Sequence, residues 1–268
     1  MRVLVTGAGG AIGRAVTAGL LANGHEVVAL DRLPPPPGSA LAWHTADCAD
    51  ADAVAEVFAS EPLDAVVHLA GHPGELSLPD SLTSHTLTTA ALLDAMVEHD
   101  VRRFVYAGSN HAVGRTPRPA EGDLSVEHRP RPDTFYGVAK VAAEAVMSLY
   151  ADRYGIDAVS CRIGSFGPAP ASMRQLATWL SPADCVRMIE AALTTPAPGY
   201  AVLYGISANT RAWWDLEAGR ALGYDPQDDA EAYAGDIQPG SEDSVEASTV
   251  GGPFATEAFF RPALDRSS

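Results

Sequence analysis

The chain has 268 residues, 47% hydrophobic and 19% charged, with 34 acidic against 18 basic residues and a formal net charge of −16. This is an ordinary globular composition. The anionic surface argues against nucleic acid or an anionic membrane as the main partner, while leaving room for a small anion held by one or two local cations.

Three cysteines, Cys48, Cys161 and Cys185, show no metal-ligand spacing. They imply a reducing compartment, no disulfide framework and no metal site. No signal-peptide pattern and no apolar run of membrane-spanning length occur, so a cytoplasmic location is expected.

Residues 2–6, Arg-Val-Leu-Val-Thr, suit a short buried parallel strand. A glycine-rich turn follows at once, Gly7-Ala8-Gly9-Gly10-Ala11-Ile12-Gly13. A helical pattern over 15–21, closed by Asn23-Gly24, leads to a second strand over 25–30 that ends on Asp31. These are the parts of a dinucleotide-binding βαβ unit. Glycines let the backbone approach a pyrophosphate while the helix N-terminus aims its free N–H groups at it. Gly7, Gly10 and Gly13 depart from the commonest glycine spacing but serve the same purpose. Asp31 stands where a carboxylate accepts hydrogen bonds from the adenosine ribose and repels a 2′-phosphate. NAD is therefore expected over NADP, although Arg32 next door pulls the other way.

Prolines 34–37 make a rigid surface loop. Residues 41–45 read as a third strand. Asp47 and Cys48 then fall at the adenine edge, with a helix N-cap as the competing role for Asp47 and with Asp50 and Asp52 as rival caps. A fourth strand over 64–69, with His68 packed in its core, runs into the small-residue turn Leu69-Ala70-Gly71, where backbone can approach the cofactor. The loop 71–79 lies at a strand's carboxyl end, the place where open α/β sheets bind ligands. Residues 81–98 read as one helix of mixed polarity.

A fifth strand over 102–107 delivers Gly108-Ser109-Asn110-His111 to the same edge. Asp133 or Thr134 caps a helix that begins Tyr136-Gly137-Val138-Ala139-Lys140 and runs to about residue 154. On a helix, Tyr136 and Lys140 project from one face. An ammonium beside a phenol lowers the phenol pKa from about 10 and makes Tyr136 a proton-transfer group. A sixth strand over 155–163 opens into the loop 164–170. Ser181-Pro182 starts a helix to residue 193, a last strand covers 200–204, and Trp213-Trp214 lead a final helix towards Gly223. From Asp225 the chain is acidic and poor in pattern, apart from Gly251-Gly252-Pro253-Phe254.

The alternation predicts an α/β fold over 1–268: a single NAD-binding, Rossmann-type domain with a doubly wound parallel sheet. A small C-terminal substrate-binding cap is expected within 164–181 and 206–268. A homo-oligomer is also expected, with a helix face in 81–98 or 138–150 open to a second copy.

The glycine turn, Ser109 and the Tyr136-x-x-x-Lys140 pair together resemble the short-chain dehydrogenase/reductase superfamily, in particular its extended branch. Several segments are similar to the NAD-dependent uronate dehydrogenases: Ser109 to Gly114, Arg131 to Lys140, Arg162-Ile163-Gly164-Ser165, Ala177-Thr178-Trp179, Ser207-Ala208-Asn209 and Trp213-Trp214-Asp215. That family oxidises C1 of galacturonic or glucuronic acid to the aldarolactone. The resemblance implies Tyr136 as base, Lys140 as its pKa modulator and ribose anchor, and Ser109 as the hydroxyl holding the reacting oxygen. Asn110, His111 and Ser165 would line the sugar site, Arg174 would grip the carboxylate, and Phe254 would help close the pocket. Two positions depart from the family pattern. His72-Pro73-Gly74 replaces a substrate-contacting serine, and His85 falls near a helix position that is often Asn. The rival readings are a nucleotide-sugar epimerase or dehydratase, a neutral-aldose dehydrogenase and a non-catalytic NAD-sensing protein.

Overall fold

The computed structural model describes residues 1–241, 243–256 and 259. Its strands are β1 (Arg2–Thr6), β2 (Glu26–Asp31), β3 (Ala42–Thr45), β4 (Ala65–His68), β5 (Arg103–Tyr106), β6 (Asp157–Ile163), β7 (Ser165–Phe166), β8 (Trp179–Leu180) and β9 (Tyr200–Gly205). Its α-helices are α1 (Ala11–Ala22), α2 (Ala51–Ser60), α3 (Leu78–Leu82), α4 (Thr88–Glu98), α5 (Phe135–Tyr154), α6 (Gln175–Thr178), α7 (Pro182–Thr194), α8 (Glu217–Ala221) and α9 (Asp243–Glu246). Among the described residues, no helix is long and apolar enough to cross a membrane.

Seven strands form one sheet in the order β3-β2-β1-β4-β5-β6-β9, and every pairing in it is parallel. The apolar runs of β1, β4 and β5 require burial on both faces. Two clusters supply it: Val3, Val5, Val67 and Val105 pack on one side, and Leu4, Val66, Phe104 and Tyr106 on the other. The chain leaves β1 first towards β2 and β3, then returns to β4 on the opposite side. That reversal opens a crevice beyond the carboxyl ends of β1 and β4, the standard ligand position in such sheets.

Several sequence expectations shift. The helix expected over 81–98 begins earlier, at Leu78, where the Ser77 side chain caps and Pro79 fits the first turn. It is interrupted by a π-turn over Thr83–Leu87, which no residue pattern announces. The helix after Trp213-Trp214 is only Glu217–Ala221, because both tryptophans are buried in the core ahead of it. It is not the last one, since helical turns follow at Ala230–Asp236, Asp243–Glu246 and Gly252–Ala255. The short parallel pair β7–β8 was not expected. Around it, Leu176, Trp179 and Ala230 form a small separate cluster with Met173 and Tyr233.

Helix α5 is anchored to β6 by a buried ion pair. Arg162 donates to both Glu144 oxygens at 3.0 and 2.8 Å, and the Ser160 hydroxyl donates to Glu144 at 2.9 Å. Glu144→Ala leaves the arginine buried and unpaired, which costs about 3–5 kcal/mol, whereas replacing both partners with apolar residues recovers most of it. Urea unfolding of Glu144→Ala against Glu144→Met/Arg162→Met checks this.

Candidate active site

The glycine turn is compressed between two strands. Gly7 has φ +67°, and a Cβ on it would stand 2.7 Å from the Ala70 nitrogen. A Cβ on Gly13 would stand 2.1 Å from the Gly7 carbonyl oxygen, so only glycine lets α1 start this close to β1. Gly10 is the N-cap of α1, and no side chain caps that end. The first-turn N–H groups therefore face the cleft as an anion site. Thr6 sets the opposite wall. Its hydroxyl accepts from the Leu69 and Ala70 N–H groups at 3.2 Å each and lies 2.7 Å from His68 Nδ1, to which it donates its one proton. His68 is wholly buried, and desolvation, then Lys140, pushes it down to about 3, so it is the neutral core histidine the sequence suggested.

Two clefts meet at this turn. One, of ≈ 690 Å³, is lined by Gly7, Gly10, Leu69, Ala70 and Gly71 and ends at Asp31, Asp47 and Cys48. Asp31 accepts from the Gly9 N–H at 2.9 Å and the Leu33 N–H at 3.0 Å, which fixes its carboxylate at the mouth. Asp47 is not the cap of α2; that role belongs to Asp50, which accepts from the Asp52 and Ala53 N–H groups. Arg32 is exposed and stands 3.9 Å from Asp47, so it is turned towards that carboxylate. Burial pushes the Cys48 thiol up to about 12, which leaves it an inert wall residue.

The other cleft, of ≈ 560 Å³, shares Gly7, Gly10, Leu69 and Gly71 and adds Ala11, Ile12 and Gly13. It runs to Ser109, Asn110, His111, Tyr136, Lys140 and Phe254. Thr134 caps α5 by accepting from the Gly137 N–H at 3.0 Å, so Tyr136 sits in the first turn and Lys140 one turn deeper. Lys140 Nζ donates to the Ala107 carbonyl at 2.6 Å and lies over the Tyr106 and Tyr136 rings, 4.6 and 5.3 Å from their centroids. Desolvation pushes Lys140 down to about 7, against a smaller opposite pull from Glu144.

This corrects the expected direction for Tyr136. Burial raises its pKa, the Ser109 hydroxyl bond pulls it back, and Asp133 adds to the rise. The lysine that was to lower the phenol is itself discouraged from carrying charge by the same burial.

Other groups complete the wall. Asp133, left open as a cap, instead turns inward: its fully buried carboxylate lies 2.8 Å from His111 Nδ1. The His111 ring meets Tyr136 and Phe254 edge-on at 5.8 and 4.8 Å. Glu75 lines the cleft and accepts the Phe135 N–H at 2.8 Å. His85, brought in by the π-turn, lies edge-on to Tyr136 at 4.9 Å. Its Nε2–H donates to the His72 carbonyl at 3.0 Å, and desolvation, then Lys140, pushes it down to about 2. Its Nδ1 is buried against Gly71 without a partner. Glu75 carries no sequence signal, and neither does the contact of His85 with Tyr136. Ser165 and Arg174 line neither cleft. They lie together one layer behind, with Arg174 Nη1 3.4 Å from the Ser165 hydroxyl and Nη2 2.5 Å from the Val250 carbonyl. Among the described residues, no group of three or more His, Cys, Asp or Glu side chains is placed to hold a metal ion.

The depressed Lys140 has a thermodynamic signature. Its folded pKa is about 7, below the ordinary lysine value of 10.5, so between these values the unfolded chain binds the extra proton. Folding stability from this group therefore rises with pH across that window, by at most about 1.4 kcal/mol per unit. Urea midpoints at pH 7 and pH 9 should rise more in wild type than in Lys140→Met, and equal slopes would contradict the burial argument.

Residues 3–183 match the profile of the NAD dependent epimerase/dehydratase family. The uronate dehydrogenase of Pseudomonas putida is 35% identical over 263 residues, 97% of each chain. The NAD-dependent glucose-6-phosphate dehydrogenase of Haloferax volcanii is 36% identical over 258 residues, 88% of this chain and 97% of its own. A solved uronate dehydrogenase from Agrobacterium tumefaciens, a mutant complexed with NAD, superimposes with a TM-score of 0.88 at 33% identity, covering 97% of this chain and 99% of that one. With its parallel sheet and its glycine turn feeding a Ser109–Tyr136–Lys140 cleft, the chain belongs to the NAD dependent epimerase/dehydratase family, the extended branch of the short-chain dehydrogenases/reductases.

Proposed function

We propose that the protein oxidises C1 of a hexuronic acid, galacturonate or glucuronate, to the aldarolactone with NAD as oxidant. The observation that carries this is the meeting of Ser109, Tyr136 and Lys140 in a cleft continuous with the Gly7–Gly13 turn. The substrate class is supported by uronate dehydrogenases about as similar as 35% over nearly the whole chain. NAD fits the residues present: a crowded glycine turn, an uncapped helix N-terminus and the Asp31 carboxylate at the ribose end. When bound, NAD supplies the hydride acceptor.

The chain's own residues do the rest. The Ser109 hydroxyl holds the C1 oxygen. Tyr136, as phenolate, removes the C1 hydroxyl proton while the C1–H bond breaks with loss of hydride, leaving the lactone carbonyl. A charged Lys140 favours the phenolate, and a phenolate in turn favours the ammonium, so the two ionise as a pair. Asp133 holds the His111 Nδ1 side, leaving the other ring nitrogen for the sugar. Arg174 and Ser165 form the carboxylate end, and Phe254 closes the top. The cap is assigned to segments 164–181 and 206–268, of which residues 242, 257, 258 and 260–268 lie outside the described residues.

A second reading, an aldose 1-dehydrogenase with a neutral or phosphorylated sugar, is favoured by one observation. Arg174 stands off the cleft with a guanidinium N–H on the Val250 carbonyl. Purified protein with NAD and a panel of galacturonate, glucuronate, neutral hexoses and glucose 6-phosphate separates the two. NADH is expected with the uronates; formation with the other sugars alone would replace the proposal by the second reading. Tyr136→Phe should lower kcat by about 100-fold or more. Asp31→Ala should narrow the preference for NAD over NADP by about tenfold or more, because the carboxylate both accepts ribose hydroxyls and repels a 2′-phosphate.

A further inference from the structure

The stretch 248–254 runs as a strap beside the cleft and reaches its lining at Phe254. Its backbone is tied to the loop 114–118. The Arg118 N–H donates to Ser248 at 2.8 Å, the Val250 N–H to Thr116 at 3.0 Å, and the Gly251 N–H to Gly114 at 2.8 Å. The Val250 carbonyl then accepts from two residues of the site, Asn110 Nδ2 at 3.2 Å and Arg174 Nη2 at 2.5 Å. Two residues further on, Gly252 has φ +59°, and a Cβ there would stand 2.2 Å from Arg174 Nε and 2.4 Å from its Cδ. Phe254 follows with its ring against His111.

The guanidinium is thus bounded on two sides by backbone of the strap. Val250 takes one N–H, and the bare α-carbon of Gly252 lies against the Nε side. The remaining Nη1 edge stays beside the Ser165 hydroxyl. A guanidinium recognises a carboxylate through a planar fork, so a small rotation of that plane loses the paired geometry. We propose that Gly252 is a positioning residue for substrate specificity: the strap sets the guanidinium plane of Arg174, and the missing side chain at 252 lets that cation face a sugar carboxylate. The inference rests on the uronate reading and deepens it.

The test uses full-length protein at saturating NAD with galacturonate and glucuronate as varied substrates. Two variants are made, Gly252→Ala and Gly252→Asn. Asparagine tolerates positive φ better than other side chains, so it separates the contact with Arg174 from backbone strain. Both should raise KM for uronate about tenfold or more, with kcat within about threefold of wild type and NAD affinity unchanged. In an Arg174→Ala background the same substitutions should add nothing, because the group they displace is gone. An unchanged KM in both variants would overturn the inference. So would a KM rise that persists without Arg174, or kcat and NAD affinity falling in step with it. Wild-type protein that forms no NADH from either uronate would instead overturn the substrate proposal itself.

Discussion

The hydrogen bond from Lys140 to the Ala107 carbonyl organises the site. It ties the first turns of α5 to the end of β5, and so fixes Tyr136 from the helix opposite Ser109 from the strand. It also sinks an ammonium among Tyr106, Tyr136 and His68, where desolvation discourages its charge. A buried amine held near neutrality and a phenol held above its ordinary value are each poor as isolated ions. As a pair they favour one another's charged form. The proposed proton transfer accordingly belongs to two residues on one helix face rather than to the tyrosine alone.

Much of this was legible in the residues. The order of strand, glycine turn, helix, strand and acid in 2–31 follows from backbone needs that few residues can meet, and the crowding at Gly7 and Gly13 leaves no room for a side chain there. Thr134 was one of two candidate caps, and the structure chooses it because Asp133 turns inward to His111. The π-turn was not legible. Thr83 to Leu87 is compatible with an ordinary helix, and only the packing against α5 decides that His85 points at Tyr136. Nor was the strap around Val250 and Gly252, since nothing in a patternless acidic tail specifies that Val250 meets a partner 76 residues away.

The departures around residues 72–85 have a common physical basis. His72 offers its carbonyl to the His85 ring, and Pro73 removes a backbone donor from a loop that the Ser84 hydroxyl also holds, at 2.8 Å from the His72 nitrogen. The loop and the π-turn therefore support each other, and together they form the wall facing Ser109. Charge is distributed unevenly around the same cleft, with Glu75 near the start of α5 and Arg174 behind the strap. Under the uronate proposal, an anionic sugar would be repelled by the first and attracted by the second, which would give it one preferred orientation.

The claim that Lys140 and Tyr136 act as one ionising pair is tested most directly by the pH dependence of kcat/KM for uronate oxidation. Wild type and Lys140→Met are compared, with cofactor affinity measured at each pH so that binding and proton transfer are separated. The account predicts an acid limb that moves to higher pH by about one unit or more when the ammonium is lost, because the phenolate loses its cation. A limb at the same pH in both proteins would contradict it.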